Sequence, residues 1–475
     1  MRWRIRTGAA VTVVAVLIGG YLVADAYDVV PGMLTLAPAP AEPAPFPTAP
    51  GAVPGPSPSP VLETLPADAP VPSASDVGAL VHGLATDTRL GSHVGAVVVD
   101  ALTGEKLGAL GASSGFVPAS TQKVLTAVAA LTELGPDKTL DTKAMLDADG
   151  RVVLVGGGDM LLAAGAGSAS AVNGRAGLGD LAAQVAAKVR VSGQTSVRLL
   201  LDDSLFTGPA VAPAVPPAEA TMGFVAPVAS MAVNVALLQP GSFGPRAPDP
   251  AMAAAQAFSR ALKEHGVSVT GDIGRGHAGD DARLLGVVHS APIREVSAWA
   301  MQTSDNTITE VLGRLVALQQ GRPGSTDGST QAVLASVSRL GVDLTGAHLV
   351  DCSGLGRGSS LTPTQLTDVL RLTVDPAHPR LREVATDLAV ANLSGTLDAR
   401  FGGDNPGRGL VRGKTGSLPG VVGLTGLVVT RDDRLLVFAL MADHVESGAT
   451  VGARMIFDQF VGRLAALGGA ATVGG

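Results

Sequence analysis

The sequence predicts a mixed α/β (α+β) protein, with strands and helices interleaved along the chain and a smaller α/β insertion. Three observations lead there. Strand pairs joined by tight turns stand near both ends of the folding region, at residues 93–112 and 421–443. Apolar or amphipathic helical patterns lie between and beyond them, at 118–134, 292–301, 307–319, 328–341 and 449–467. Between residues 140 and 288 the texture changes to short strands alternating with amphipathic helices.

The totals narrow the function classes. A chain of 475 residues suggests two or three domains. It is 46% hydrophobic but only 3% aromatic, so its cores must be built from Ala, Val and Leu. The net charge is −7 and no basic block follows the first six residues, which argues against a nucleic-acid partner. The one cysteine, Cys352, excludes an intrachain disulfide and a Cys-based zinc site. The eight histidines include no H-E-x-x-H, so a zinc peptidase is disfavoured, and no metal or cofactor is implied.

Arg2, Arg4 and Arg6 precede an apolar run from Gly8 to Ala24. Basic residues before a hydrophobic segment stay on the cytoplasmic side. The run is at the short limit for spanning a bilayer, and Ala24-Asp25-Ala26 resembles a small-x-small cleavage site. Residues 1–30 therefore read as a signal peptide or signal anchor. The rest is expected to be extracytoplasmic, held at the membrane if the segment is not cleaved. Residues 31–75 are rich in Pro and Ala and read as a semi-extended spacer.

Folding begins near Asp76, with a helix over 77–86, a strand over 93–100 and a returning strand over 106–112 across a turn at Gly104. The next stretch, from Phe116, starts a helix at Pro118, whose missing N–H costs nothing in a first turn. It is apolar on nearly all sides and stops at Gly135-Pro136, the pattern of a buried helix. A strand over 151–155 ends at Gly156-Gly157-Gly158-Asp159. That triplet lacks the G-K-[ST] ending and the following helix of a phosphate loop. A helix is expected over 179–191, strands over 197–203, 229–238 and 267–273, and a helix over 250–265 that Gly266 ends. After the helices at 292–301, 307–319 and 328–341 comes a glycine-rich loop at 351–357. Thr362-Pro363 then starts a helix reaching Leu372. Strands over 421–430 and 434–443 pair across Arg431-Asp432-Asp433, and a last amphipathic helix covers 449–467.

Three short motifs carry chemistry: Ser120-x-x-Lys123, Ser304-Asp305-Asn306 and Lys414-Thr415-Gly416, each present once. There are only seven lysines to place in them. In a helix, Ser120 and Lys123 share a face. A buried lysine loses charge stabilisation and can accept a proton, so Ser120 reads as a nucleophile and Lys123 as its base, neutral at rest. Ser304 and Lys414 can relay a proton to a leaving amine, and Asn306 can hold Lys123 and a substrate amide. Lys414, Thr415 and Ser417 can bind a carboxylate. The backbone N–H groups of Ser120 and Ser417 would form an oxyanion hole. Taken singly, Ser120 and Ser304 could be plain helix caps, Lys414 a surface lysine and Asn306 a turn residue. Only the set of motifs argues for catalysis.

With these motifs the sequence resembles the serine penicillin-recognising enzymes, and among them the class C low-molecular-mass penicillin-binding proteins of the D-alanyl-D-alanine carboxypeptidase/endopeptidase group. Further matching stretches are Leu154 to Asp159, Asp202 to Phe206, Ser230 to Asn234, Asp351-x-Ser353-Gly354-Leu355 and Ser394-Gly395-Thr396-Leu397. They span about residues 76–465. The wide interval from Ser120 to Ser304 suits a member with inserted domains, unlike a simple β-lactamase. The Glu-x-x-Leu-Asn of class A β-lactamases is absent. The resemblance implies a transpeptidase-like fold, an antiparallel sheet flanked by helices, built from 76–139 and 289–470 with 140–288 inserted. It implies a serine D,D-carboxypeptidase, with D,D-endopeptidase cleavage as a variant, acting on peptidoglycan stem peptides and acylated by β-lactams. The alternatives are a β-lactamase or amidase of the same superfamily, and a silent cell-wall scaffold. Two departures stand out. Cys352 occupies a position that is usually glycine, where a small buried residue is expected. Met160 replaces a Pro-Thr that often follows the glycine triplet.

Overall fold

A computed structural model describes residues 65–239, 241 and 244–468, with Tyr21, Ala24 and Val29. Apart from Tyr21, Ala24 and Val29, the leader expected over 1–30 and most of the spacer expected over 31–75 lie outside the described residues. Among the described residues no helix is long and apolar enough to cross a membrane.

Helix α1 (Ala74–Thr86) is capped by Ser73, whose hydroxyl accepts the Asp76 N–H. Strands β1 (Val94–Asp100) and β2 (Lys106–Leu110) form the first hairpin. A 3₁₀ turn, Ala119–Gln122, leads into helix α2 (Lys123–Glu133). Next come β3 (Asp141–Leu146), β4 (Val152–Val155), β5 (Asp159–Leu162), α3 (Leu178–Val191), β6 (Ser196–Val197), β7 (Leu199–Asp202), α4 (Pro217–Thr221) and β8 (Met231–Val233). Helix α5 (Pro250–Glu264) and strands β9 (Ser268–Val269), β10 (Gly274–Arg275) and β11 (Arg283–His289) follow. Helices α6 (Ile293–Thr303), α7 (Asn306–Gln319), α8 (Thr326–Arg339), α9 (Pro363–Leu372) and α10 (Arg382–Asp387) precede the last strands. These are β12 (Ala389–Val390), β13 (Val411–Leu418), β14 (Val421–Val429) and β15 (Leu435–Ala442), and helix α11 (Thr450–Ala466) ends the fold.

The main sheet is antiparallel, in the order β12-β13-β14-β15-β1-β2, so strands from the two ends of the chain meet at β15 and β1. Strand side chains alternate between faces, and β1 shows it. Ala96 and Val98 join the core under α1 and α11, with Phe438, Leu440, Phe457 and Val461. Val97 and Val99 join the opposite core with α2, α7 and α9. The sheet is thus flanked by helices on both faces, as the fold class implies.

A second sheet, β10-β7-β4-β3-β11, comes wholly from residues 141–289. It is mixed: β10, β7 and β4 run parallel, while β3 pairs antiparallel with both β4 and β11. Helices α3 and α5 cover it with a small-residue core of Leu181, Val185, Ala254, Ala255 and Phe258. Met160, Leu161, Ala226 and Val228, from the same stretch, pack into the core that holds α2 and α7.

Several elements differ from the sequence reading. The strand expected over 229–238 stops at Val233, because Asn234, Val235 and Ala236 all take positive φ. Two tertiary bonds hold this bend: Asn173 Nδ2 to Asn234 Oδ1 and Arg246 Nη1 to the Val235 carbonyl. The strand expected over 267–273 shrinks to β9, which pairs with β6, and the next strand, β10, begins only at Gly274 and pairs with β7. Strands β3, β11 and β13 were not expected. Strand β11 depends on β3, distant in sequence, while β3 and β13 also pair with the strands that follow them, β4 and β14.

Candidate active site

The nucleophile turn is set by its neighbours. Ala119 is held at φ +47°, a left-handed angle that alanine rarely adopts. Ser120 then lies in a 3₁₀ turn rather than an α-helix, and α2 begins at Lys123. Side chains three apart eclipse in a 3₁₀ turn, so the two still share a face. Two glycines let other elements press against this turn. A Cβ on Gly354 would fall 1.9 Å from the Ala119 carbonyl oxygen, and one on Gly416 2.8 Å from that of Pro118.

Lys123 is buried, and its Nζ has three partners. Ser120 Oγ lies at 2.9 Å, Asn306 Oδ1 at 2.6 Å and the Ser353 carbonyl oxygen at 2.7 Å. The last two can only accept. A neutral amine has two N–H bonds and one lone pair, so giving both N–H groups to them leaves the lone pair facing the Ser120 hydroxyl. Burial pulls the Lys123 pKa down to about 8, while Asp351, Asp305 and Glu310 hold it from falling further. Burial thus brings the neutral, proton-accepting form of Lys123 within reach near neutral pH.

Ser304 ends α6 in a left-handed conformation, φ +56°. The cap of α7 is Asp305, whose carboxylate accepts the Ile308 N–H, so Ser304 is free of that duty. Its Oγ accepts instead from Lys414 Nζ at 2.8 Å. Lys414 is wholly buried on β13, and burial with the nearby Lys123 charge drives its pKa well below the usual lysine value. The three motifs therefore meet, and Ser120, Ser304, Asn306, Thr415 and Ser417 line one cleft of about 570 Å³. Gly416 lies behind it, against the nucleophile turn. Asn306 Nδ2 donates to the Phe224 carbonyl at 2.8 Å, so this group faces protein rather than the open cleft.

The structure adds residues that no motif named. Glu310, one turn beyond Asn306 on α7, accepts the N–H groups of Cys352 and Ser353. Asp351 accepts those of Gly354 and Gly356. Together they present the Ser353 carbonyl to Lys123. Burial and the neighbouring Asp351 push Glu310 up to about 7. Thr396 Oγ1 accepts from Thr415 Oγ1 at 2.9 Å. Glu219, Met222 and Phe224, from within 140–288, wall the cleft, as does Arg454 on α11. Glu310 had a sequence signal, a lone acid on an apolar helix face. Arg454 had none.

Cys352 is fully buried and has no left-handed backbone angle, so it gives up nothing that glycine would supply there. Space for it comes from α7, where a Cβ on Gly313 would lie 2.3 Å from its sulfur. Burial and Glu310 raise its thiol well above the usual value, which keeps it unreactive. Among the described residues one group, His93, Asp443 and His444, could hold a metal ion by spacing. Its central carboxylate is already engaged, by His93 Nδ1 at 2.5 Å and by the Val117 N–H at 2.9 Å, so it braces the segment before the nucleophile turn.

The family model for D-Ala-D-Ala carboxypeptidase 3 (S13) matches residues 78–243 and 236–466. The chain belongs to this family. It is 36% identical over 393 residues to a carboxypeptidase of Mycobacterium tuberculosis, covering 81% of this chain and 82% of that one. It is 36% identical over 384 residues to carboxypeptidase DacB of Mycolicibacterium smegmatis, covering 79% and 82%. The fold is that of penicillin binding protein 4 from Haemophilus influenzae, with a TM-score of 0.67 at 21% identity over 81% of this chain and 97% of that one.

Proposed function

We propose that this S13 family member is an extracytoplasmic serine D-alanyl-D-alanine carboxypeptidase that trims peptidoglycan stem peptides through an acyl-enzyme at Ser120. The single observation that carries it is Lys123 Nζ, whose two N–H groups are taken by Asn306 and Ser353 while its third direction meets Ser120 Oγ.

In this reading Ser120 Oγ attacks the carbonyl carbon of the penultimate D-alanine as Lys123 takes its proton. The N–H groups of Ser120 and Ser417 hold the oxyanion. The C–N bond breaks, a proton passes by way of Ser304 and Lys414 to the departing amine, and D-alanine leaves. Water then attacks the ester and regenerates Ser120. Thr415 and Ser417 receive the substrate's terminal carboxylate. Residues 76–139 and 289–470 serve as the peptidase domain, with 140–288 an insertion that contributes one wall of the cleft. A β-lactam presents a strained amide to the same serine. The leader over 1–30 delivers the enzyme to the cell wall or anchors it at the membrane.

The test is intact-mass spectrometry after incubation with benzylpenicillin, alongside D-alanine release from a diacyl-D-Ala-D-Ala peptide. A penicilloyl adduct on the Ser120 peptide that lasts minutes to hours, with D-alanine release, is expected. Rapid loss of the adduct would favour a β-lactamase. No adduct at all would sink the mechanism.

A further inference from the structure

Away from the cleft, a cavity of about 370 Å³ opens at the far end of β1 from the nucleophile turn. Strand β1 spans about 20 Å. Val117 meets Asp443 beside its first residues, while Ala101 and Leu102, just past its last, line the cavity. Leu340, after α8, and the last turns of α9 supply the other walls. Two charged side chains of α9, Asp368 and Arg371, are among them.

Opposite charges three residues apart on a helix usually pair. Here they do not. Among the described residues no hydrogen bond or ion pair joins the Arg371 guanidinium to a carboxylate, and its Nε is buried without a partner. The guanidinium lies instead on the β1–β2 turn. A Cβ at Gly104 would fall 2.6 Å from its Cζ and 2.7 Å from both Nη atoms, so the turn sits under the face of the plane and not at its edge. Gly104, at φ +74° and with no side chain, permits that approach. The N–H donors lie in the guanidinium plane, so this stacking leaves them free to meet a ligand edge-on. Asp368 is partly buried, and burial raises its carboxyl pKa although Arg371 and Lys106 pull it down. Among the described residues no donor reaches that carboxylate.

The two charges disfavour simple ions. A lone anion would meet Arg371 but be opposed by Asp368 and by Asp375, also in the wall. A lone cation would be opposed by Arg371. A molecule carrying both charges close together satisfies both groups. In a free α-amino acid the carboxylate and the ammonium share one carbon. Side chains three apart on a helix stand about 5–6 Å apart at Cβ, so one such molecule reaches both. Leu102, Leu340 and Leu372 offer apolar contact to a small side chain, and the volume is that of a small-molecule site. We propose that this cavity binds a free α-amino acid, with its carboxylate on Arg371 and its ammonium on Asp368. The site is separate from the cleft and does not depend on the reading of the cleft. D-Alanine, the product of the proposed reaction, has the required chemistry and serves as the probe.

The experiment is a saturation-transfer NMR titration of the full chain with D-alanine, acetate and methylamine. D-Alanine is expected to bind roughly tenfold or more tightly than either singly charged probe. Arg371→Met and Asp368→Asn should each weaken D-alanine binding by roughly tenfold, the size of one charge-assisted hydrogen bond. Asp368→Asn keeps the shape of the side chain, so the test survives if Arg371→Met fails to fold. Ser120→Ala should bind D-alanine as the wild type does. No saturation transfer to D-alanine in the wild type would overturn the inference. So would D-alanine binding that both α9 substitutions leave intact, which would place the amino acid elsewhere. Acetate binding as tightly as D-alanine would also overturn it, since the cavity would then take an anion alone.

Discussion

Lys123 Nζ lies 2.9 Å from Ser120 Oγ and is tied on its other sides to Asn306 Oδ1 and the Ser353 carbonyl. The amine cannot turn away from the serine without leaving a buried carbonyl unpaired, so the base is oriented before any substrate arrives. The rate of acylation should therefore follow the neutral fraction of Lys123.

The pH profile of kcat/KM should rise with pH through about 8, the value to which burial lowers Lys123. The sign follows from the role: the deprotonated amine is the active form, so rate is gained as pH climbs through the pKa. Lys123→Met should lose about 10²- to 10⁴-fold of the acylation rate, read by penicilloyl adduct formation.

Glu310→Gln removes one of the negative charges that hold the Lys123 pKa up. Neutralising it should move the rising limb of the profile to lower pH. It should also reduce the maximal rate modestly: a glutamine carbonyl can still accept both N–H groups that reach Oε1, but its NH₂ then faces the Cys352 N–H, donor against donor, at the place of Oε2. A limb displaced to higher pH would contradict this account.

Gly416→Ala places a methyl group 2.8 Å from the Pro118 carbonyl oxygen, a backbone atom that cannot step aside cheaply. The nucleophile turn should shift, with acylation falling on the order of 10²-fold. Overpacking should cost about 1–3 kcal/mol in urea unfolding. Normal acylation in this variant would show that β13 and the turn are not in register-critical contact.

Arg434 and Asp100 form a buried ion pair that ties β1 to the start of β15, and Arg434 Nη1 also donates to the carbonyls of Ala67 and Ala69. Arg434→Met leaves a carboxylate with no exposed surface and no counter-charge. The expected loss is about 3–5 kcal/mol by chemical denaturation. Adding Asp100→Asn should return part of it, since the stranded charge is then gone.

Much of the fold was legible in local pattern. Thr362 and Pro363 announced a helix, and the structure shows a capping box there with Gln365. The alternating apolar runs after Val421 and Leu435 announced a hairpin, and they pair along their whole length. Strand β13 was not legible, because Val-Arg-Gly-Lys-Thr-Gly-Ser-Leu has neither clean alternation nor β-branched density. It is a strand because β12 and β14 supply the ladder on both sides. The bend at Asn234 to Ala236 was hidden for the same reason: three positive φ angles in Asn-Val-Ala come from contacts made by residues 173 and 246.

The candidate site divides the same way. The sequence alone determined which residue types were available and in what order: a serine and lysine one turn apart, a Ser-Asp-Asn between two helices, and a Lys-Thr-Gly before a hairpin. Chain connectivity and helical spacing suffice for that. Only the tertiary structure decided that Asn306 and Ser353 hold the two N–H groups of Lys123. It also placed Ser304 on Lys414 and left Arg454 facing the cleft while Arg400 takes Asp458. Those outcomes depend on burial and on competition for partners among groups far apart in the chain. A buried polar group must find a partner wherever packing places one, and sequence distance carries no record of which partner wins.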